Sequence, residues 1–141
     1  MHLLHIEEIK QLAIFRDLAP EQWAEIYPLL RHVWVIEGEQ LIRQGDHAHT
    51  FFVILNGHFM IHSRDGRAIT LNQKGDIIGW SAVISPFQYT GSVTALTNGD
   101  LLAIPGDRFL ELLQSNAPLG DKLIKKISEI VQMRETMETE S

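Results

Sequence analysis

The feature that most restricts the fold is a series of glycines that divides residues 31–105 into short pieces. Between them, β-branched and aromatic residues form runs of strand length. The glycines stand at Gly38, Gly45, Gly57, Gly66, Gly75, Gly91 and Gly99. This spacing is typical of short antiparallel strands that close into a sandwich or a barrel. The pair Asp65-Gly66 is the sharpest turn signal, because glycine tolerates the positive φ angle that a tight hairpin needs.

Helical patterns lie on both sides of this β-rich segment. Before residue 31, apolar residues recur at helical spacing, first at Ile6, Ile9, Leu12 and Ala13, then at Trp23, Ile26, Tyr27 and Leu30. After residue 105, Pro118 separates a short helix from a long amphipathic one. We therefore expect one mainly β domain with flanking helices: N-terminal helices over 1–30, a β-rich body over 31–105 and two C-terminal helices over 106–137.

The long C-terminal helix carries an apolar seam that allows two interpretations. The seam runs in steps of four and three residues through Leu123, Ile127, Ile130, Arg134 and Met137. A coiled coil has this spacing, so the seam could join two copies of the chain in a homodimer. Two heptads are short for a coiled coil, so the same face could instead pack within the chain.

Length and composition exclude several classes of protein. The chain has 141 residues, a net charge of −6 and 45% hydrophobic residues, which describes one acidic globular domain. It has no cysteine, and its longest apolar run, Phe51 to Leu55, is far too short to cross a membrane. We expect a cytoplasmic protein without a membrane segment. The only basic stretch, residues 119–134, is too weakly charged to predict direct nucleic-acid binding.

Three motifs in the β-rich segment resemble the cyclic-nucleotide-binding domain family, which includes catabolite-activator-type regulators, kinase regulatory subunits and gated channels. They are the G-E-x-L-I-x-x-G-D turn from Gly38 to Asp46, the apolar strand that ends in Asn56-Gly57, and the segment from Lys74 to Gly79. The resemblance covers about Phe15 to Arg134. It implies a double-stranded β-helix, also called a jelly-roll or β-roll barrel, whose following helices close over a ligand pocket.

The resemblance also places the pocket, at Gly79 to Ala95. In the family a glutamate after the glycine binds the ribose, and an arginine near the end of the segment pairs with the phosphate. Here Trp80 stands in place of the glutamate and Tyr89 in place of the arginine. The candidate pocket residues are Ile78, Gly79, Trp80, Ser81, Ala82, Val83, Tyr89, Thr90 and Gly91.

These two replacements predict weak or undetectable cyclic AMP binding, so a cyclic nucleotide is disfavoured as a cofactor. A phosphate without its guanidinium loses a charge-assisted and often bidentate contact, and the ribose hydroxyl loses its acceptor. The aromatic residues Trp80, Phe87 and Tyr89 instead indicate a pocket remodelled for a flat or apolar ligand. Two alternatives stay open: the rings fill a collapsed pocket, or a degenerate nucleotide site persists.

No catalytic motif is present, so we expect no catalytic residues and no enzyme activity. His47-Ala48-His49 resembles the H-x-H of metal-binding cupins, but the glutamate of that pattern is missing and no metal is expected. The sequence thus predicts a ligand-sensing regulatory domain that acts through a separate output protein, since no helix-turn-helix follows. A protein-interaction or dimerisation domain with a vestigial pocket is the alternative, and a cupin-like metal protein is less favoured.

Overall fold

The computed structural model of the protein describes residues 6–63, 65–84 and 87–140, and side chains as far as residue 134. The N-terminal elements are helix α1 (Ile6–Lys10), helix α2 (Pro20–Ile26) and a 3-10 turn (Tyr27–Leu29). The strands are β1 (Arg31–Val35), β2 (Gln40–Ile42), β3 (Thr50–Asn56), β4 (Phe59–Ser63), β5 (Ala68–Leu71), β6 (Ile77–Ile78), β7 (Gly91–Ala95) and β8 (Gly99–Pro105). Helices α3 (Gly106–Ser115) and α4 (Ala117–Glu140) follow.

The strands form two four-stranded antiparallel sheets. One has the order β1-β8-β3-β6 and the other the order β2-β7-β4-β5, so neighbours in space are mostly distant in sequence. This is the jelly-roll with flanking helices that the sequence predicts, and that prediction is confirmed. The predicted turn at Asp65-Gly66 joins β4 to β5, with Gly66 at a φ of +89°. The Ser63 N–H closes this hairpin by donating to the Arg67 carbonyl at 2.7 Å.

Helix α3 packs against the first sheet. Phe51 of β3 is fully buried, and its ring meets the ring of Phe109 in α3 edge-on at 5.1 Å. The first helix ends at Lys10, earlier than the apolar pattern through Ala13 predicts, because the chain continues in tight turns there. Leu12 is nonetheless buried in the core. The apolar pattern therefore predicted the burial of Leu12 correctly, although the helix is shorter than the pattern predicted.

The apolar seam of α4 packs inside the chain. Leu123 and Ile127 are 0% exposed, and Ile130 is half-buried against the same core. Arg134 contacts Asp76 of the β-roll, and the side chain of Met137 lies outside the described residues. Leu123 and Ile127 are enclosed within one chain, so in this arrangement they are not available to a dimer interface. Homodimerisation itself stays a prediction.

Polar contacts tie the N-terminal segment to α4. The Lys122 ammonium donates to the Asp17 carbonyl at 3.1 Å and to the Gln22 side-chain oxygen at 2.8 Å. One turn further on, Lys126 pairs with the Asp17 carboxylate at 3.0 Å, and this contact lowers the pKa of Asp17. The segment before the β-roll and the helix after it thus belong to one layer.

Candidate functional site

A cavity of about 480 Å³ lies between the two sheets and under α4. Its lining consists of Ile42, Ile61, Ser63, Arg67, Ile69, Ile78, Gly79, Trp80, Ser81, Tyr89, Thr90, Gly91, Val93, Val131 and Arg134. Seven of the nine candidate pocket residues are in this lining. The volume lies within the range of small-molecule pockets, roughly 300–1,000 Å³.

Ala82 and Val83, the other two candidates, lie outside the cavity lining. Ala82 is buried against Gly106 at the start of α3, with no room for a side chain between them. Val83 lines a separate hollow between α3 and α4, beside Leu113 and Gly120. The reason is geometric: Trp80–Ala82 form a single 3-10 turn, so successive side chains point in different directions.

Gly79 shapes the entry to this turn. Its φ of +80° lies in the left-handed region, and a Cβ atom there would stand 2.8 Å from the Thr50 carbonyl oxygen. Only glycine meets both conditions without strain. The turn that follows has three residues, so it lacks the aligned peptide dipoles that a longer helix offers to an anion.

Tyr89 is a structural anchor at the edge of the cavity. Its hydroxyl accepts a hydrogen bond from the Thr50 N–H at 3.0 Å and donates one to the Thr50 carbonyl at 2.8 Å. The side chain is 8% exposed, and burial raises the pKa of Tyr89. A phenol carries no positive charge, and the only polar atom of this side chain is already paired with β3, so Tyr89 cannot act here as an arginine would.

The segment that carries Tyr89 is held against the turn between β2 and β3. The Tyr89 N–H donates to the Asp46 carbonyl, the Gly45 N–H donates to the Tyr89 carbonyl, and the Ala48 N–H donates to the Phe87 carbonyl, all at 2.9 Å. Phe87 has a φ of +64°, which is unusual for a bulky residue. These bonds fix the cavity edge, so the strained backbone at Phe87 is maintained by its neighbours.

Two arginines reach the cavity from outside the predicted segment. Arg67 comes from the β4–β5 hairpin and Arg134 from α4, and in the described lining they are the charged residues. The Arg134 Nη2 donates to Asp76 Oδ1 at 2.7 Å and to the Ile77 carbonyl. The Arg67 Nε donates to Asp65 Oδ2 at 2.8 Å. A sequence signal for Arg134 existed, since it interrupts an otherwise apolar seam.

The histidine pair and the helices bear on two other kinds of function, metal binding and membrane insertion. The rings of His47 and His49 lie 4.7 Å apart, but across residues 6–63, 65–84 and 87–140 no three His, Cys, Asp or Glu side chains gather as a metal site would require. Within the same residues, no helix has both the length and the apolar character to cross a bilayer.

The fold and cavity define a jelly-roll domain with a ligand-sized space between the β-roll and its last helix. The cyclic nucleotide-binding domain family matches residues 33–116, and the chain belongs to that family. A cAMP-dependent protein kinase type II regulatory subunit of Drosophila melanogaster is 27% identical over 133 residues, covering 94% of this chain and 35% of the relative. A cGMP-dependent protein kinase of Eimeria tenella is 26% identical, covering 90% of this chain and 12% of the relative.

Solved structures support the same fold. A protein from Geobacter metallireducens assigned as cyclic nucleotide-binding superposes with a TM-score of 0.86 at 23% identity, covering 94% of this chain and 98% of its own. The sensor domain of the transcriptional regulator DNR from Pseudomonas aeruginosa gives a TM-score of 0.72 at 23% identity, covering 93% and 96%. Catabolite activator protein from Thermus thermophilus gives 0.68 at 18% identity, covering 90% and 62%. The chain spans about a third or less of the two kinase relatives, so it corresponds to one domain within them.

Proposed function

We propose that the chain is a non-catalytic sensor domain whose pocket has been remodelled, so that it binds cyclic AMP weakly or not at all. The observation that best supports this proposal is that the Tyr89 hydroxyl is already hydrogen-bonded to Thr50. Tyr89 occupies the position of the family arginine, and both hydrogen-bonding functions of its hydroxyl are used by Thr50. A cavity remains open beside Tyr89. This favours a ligand-sensing pocket over the alternative, a vestigial pocket filled by the rings of Trp80 and Tyr89.

The chemistry of the cavity edge explains the expected loss of affinity. A cyclic phosphate at the family position would meet a buried phenol instead of a guanidinium, losing a contact that typically contributes about 1.5–3 kcal/mol. Trp80 offers an indole N–H but no acceptor for a ribose hydroxyl. Each loss alone lowers affinity about tenfold or more.

Helix α4 is the element suited to transmit occupancy of the cavity. It contributes Val131 and Arg134 to the lining, while the same helix is tied to the N-terminal segment through Lys122 and Lys126. A ligand that contacts Val131 and Arg134 better in one position of α4 than in another shifts the equilibrium toward that position. We propose that this shift is read by a separate output protein.

Isothermal titration calorimetry with cyclic AMP and cyclic GMP tests the proposal. We expect a Kd weaker than about 100 μM, or no measurable heat. The double variant Trp80→Glu, Tyr89→Arg supplies the two missing family groups and is expected to bind cyclic AMP at least tenfold more tightly. A submicromolar Kd for the unmodified protein would show that other groups compensate and would overturn the proposal.

A further inference from the structure

We infer that the cavity takes an anionic ligand and holds its carboxylate, sulfonate or phosphate group at the α4 end, between Arg67 and Arg134. This inference rests on the proposed function, because it assumes that the cavity binds a small molecule. It assigns the ligand a charge and an orientation: the anion lies under α4, and the apolar body lies against the inner faces of the sheets.

The charge of the lining points to an anion. Arg67 and Arg134 line the cavity, and the described lining contains no aspartate or glutamate. Their carboxylate partners, Asp65 and Asp76, lie outside that lining. An anion placed in the cavity therefore meets two guanidinium groups in the lining, each of which is also paired with a carboxylate outside it.

Arg134 has an unused donor. Its side chain is 12% exposed, and its Nη2 is occupied by Asp76 and the Ile77 carbonyl. Its Nε is buried and has no hydrogen-bond partner among the described residues. A buried N–H without a partner is unfavourable. Because Nε has almost no accessible surface, a ligand oxygen reaches it only if the Arg134 side chain shifts, and such a shift would remove this penalty.

Arg67 lines the same cavity from a different element, the β4–β5 hairpin. Its side chain is 68% exposed on the β4–β5 hairpin, and its Nε is engaged by Asp65. A guanidinium has five N–H donors in a planar fork, so its terminal nitrogens can bind an oxyanion while Nε keeps its partner. Two such forks suit a carboxylate, sulfonate or phosphate better than a neutral group.

Part of the remaining lining is apolar and can contact the body of a ligand. Ile42, Ile61, Ile78 and Val93 line it from four different strands. The ring of Trp80, at the 3-10 turn, adds an aromatic wall. A ligand with one anionic end and a flat apolar body of one or two rings would match both parts of the lining.

A pair of fluorescent dyes separates the anion from the apolar body. The anionic probe is 1-anilinonaphthalene-8-sulfonate, and the neutral probe is N-phenyl-1-naphthylamine, which has the same rings without the sulfonate. Titration is followed by dye fluorescence at low salt. We expect the sulfonate to bind at least tenfold more tightly than the neutral dye, and Arg134→Gln or Arg67→Gln to weaken the sulfonate about tenfold while leaving the neutral dye unchanged.

Two control variants locate the effect. Arg108→Gln removes the same charge from an exposed site on α3, outside the cavity lining, and should change neither affinity. Ile61→Trp fills the cavity and should weaken both dyes. Circular dichroism checks each fold. If Arg134→Gln fails to fold, Arg67→Gln decides the test, because its side chain is mostly exposed.

The possible outcomes distinguish this inference from the proposal beneath it. If both dyes bind equally well and Ile61→Trp weakens both, the cavity is a ligand site but the anion inference is overturned. The inference is likewise overturned if the sulfonate is preferred and neither arginine variant changes that preference. If Ile61→Trp affects the affinity of neither dye, the dyes do not bind in this cavity. Both the anion inference and the proposal that the cavity is a ligand site are then overturned.

Discussion

Replacing Tyr89 by phenylalanine tests whether this residue is an anchor for β3. The substitution keeps the ring and removes only the hydroxyl, which is bonded to both the N–H and the carbonyl of Thr50. The Thr50 N–H and carbonyl point to the β6 side of β3, where the carbonyl oxygen lies beside Gly79. Strand β6 ends at Ile78, which pairs with Phe52, so the Thr50 carbonyl has no ladder donor on that side to replace the lost phenol.

The expected loss of stability follows from these two hydrogen bonds. Each contributes about 1 kcal/mol net, so Tyr89→Phe should lower the free energy of unfolding by about 2 kcal/mol. For a chain of this size that corresponds to a decrease in Tm of about 4–8 °C. Tyr27→Phe is the matched control, since Tyr27 is the other tyrosine and is 40% exposed; it should change stability by less than about 0.5 kcal/mol.

Thermal and urea denaturation followed by circular dichroism measure both variants. Equal stability of Tyr89→Phe and Tyr27→Phe would refute the anchor interpretation. A pH series adds a second reading, because burial raises the pKa of Tyr89 above its ordinary value of 10.0. The folded state then holds the proton more firmly than the unfolded state, so the stabilisation is complete below pH 10 and decreases above it. The difference in stability between the unmodified protein and Tyr89→Phe should therefore narrow above pH 10.

Three further substitutions test the packing of α4 and the cavity edge. Ile127→Ala should lower the free energy of unfolding by about 2–5 kcal/mol because the residue is fully buried, whereas Met133→Ala, 68% exposed on the same helix, should have little effect in urea denaturation. Asp76→Asn weakens the contact with Arg134 and should accelerate amide hydrogen exchange in the last turns of α4 about tenfold; unchanged exchange would contradict the assigned contact. Gly79→Ala should lower the free energy of unfolding by about 1–3 kcal/mol, because residue 79 has a positive φ and a Cβ atom there would lie close to the Thr50 carbonyl oxygen; an unchanged Tm would contradict that geometry.

The β-roll could be predicted from sequence because its signals are local. The conformation of a tight turn, such as the one at Gly66, can be predicted from the few residues that form it. The same holds for an apolar strand such as β3. The segment from Ile78 to Gly91 could be placed because it follows such signals in order. The orientation of Tyr89 could not, since its hydroxyl bonds to Thr50, 39 residues away.

The meeting of two arginines at one cavity could not be predicted from the sequence for the same reason, although Arg134 alone stands out in the apolar seam of α4. Arg67 and Arg134 are 67 residues apart in the chain and meet only when the hairpin and α4 reach one cavity. The seam of α4 was also ambiguous, because the same apolar spacing serves a coiled coil or an intrachain core. Ile127 is fully buried within the chain, and that burial depends on the whole fold rather than on the local spacing.

The contacts of Lys122 and Lys126 with the N-terminal segment have a mechanical consequence. A helix that moved alone would have to break three polar contacts with Asp17 and Gln22 at once. Motion of α4 and motion of the residues around Asp17 are therefore coupled. A label attached near Asp17 should therefore report motion of α4 at a second place on the domain, away from the residues of α4 that line the cavity.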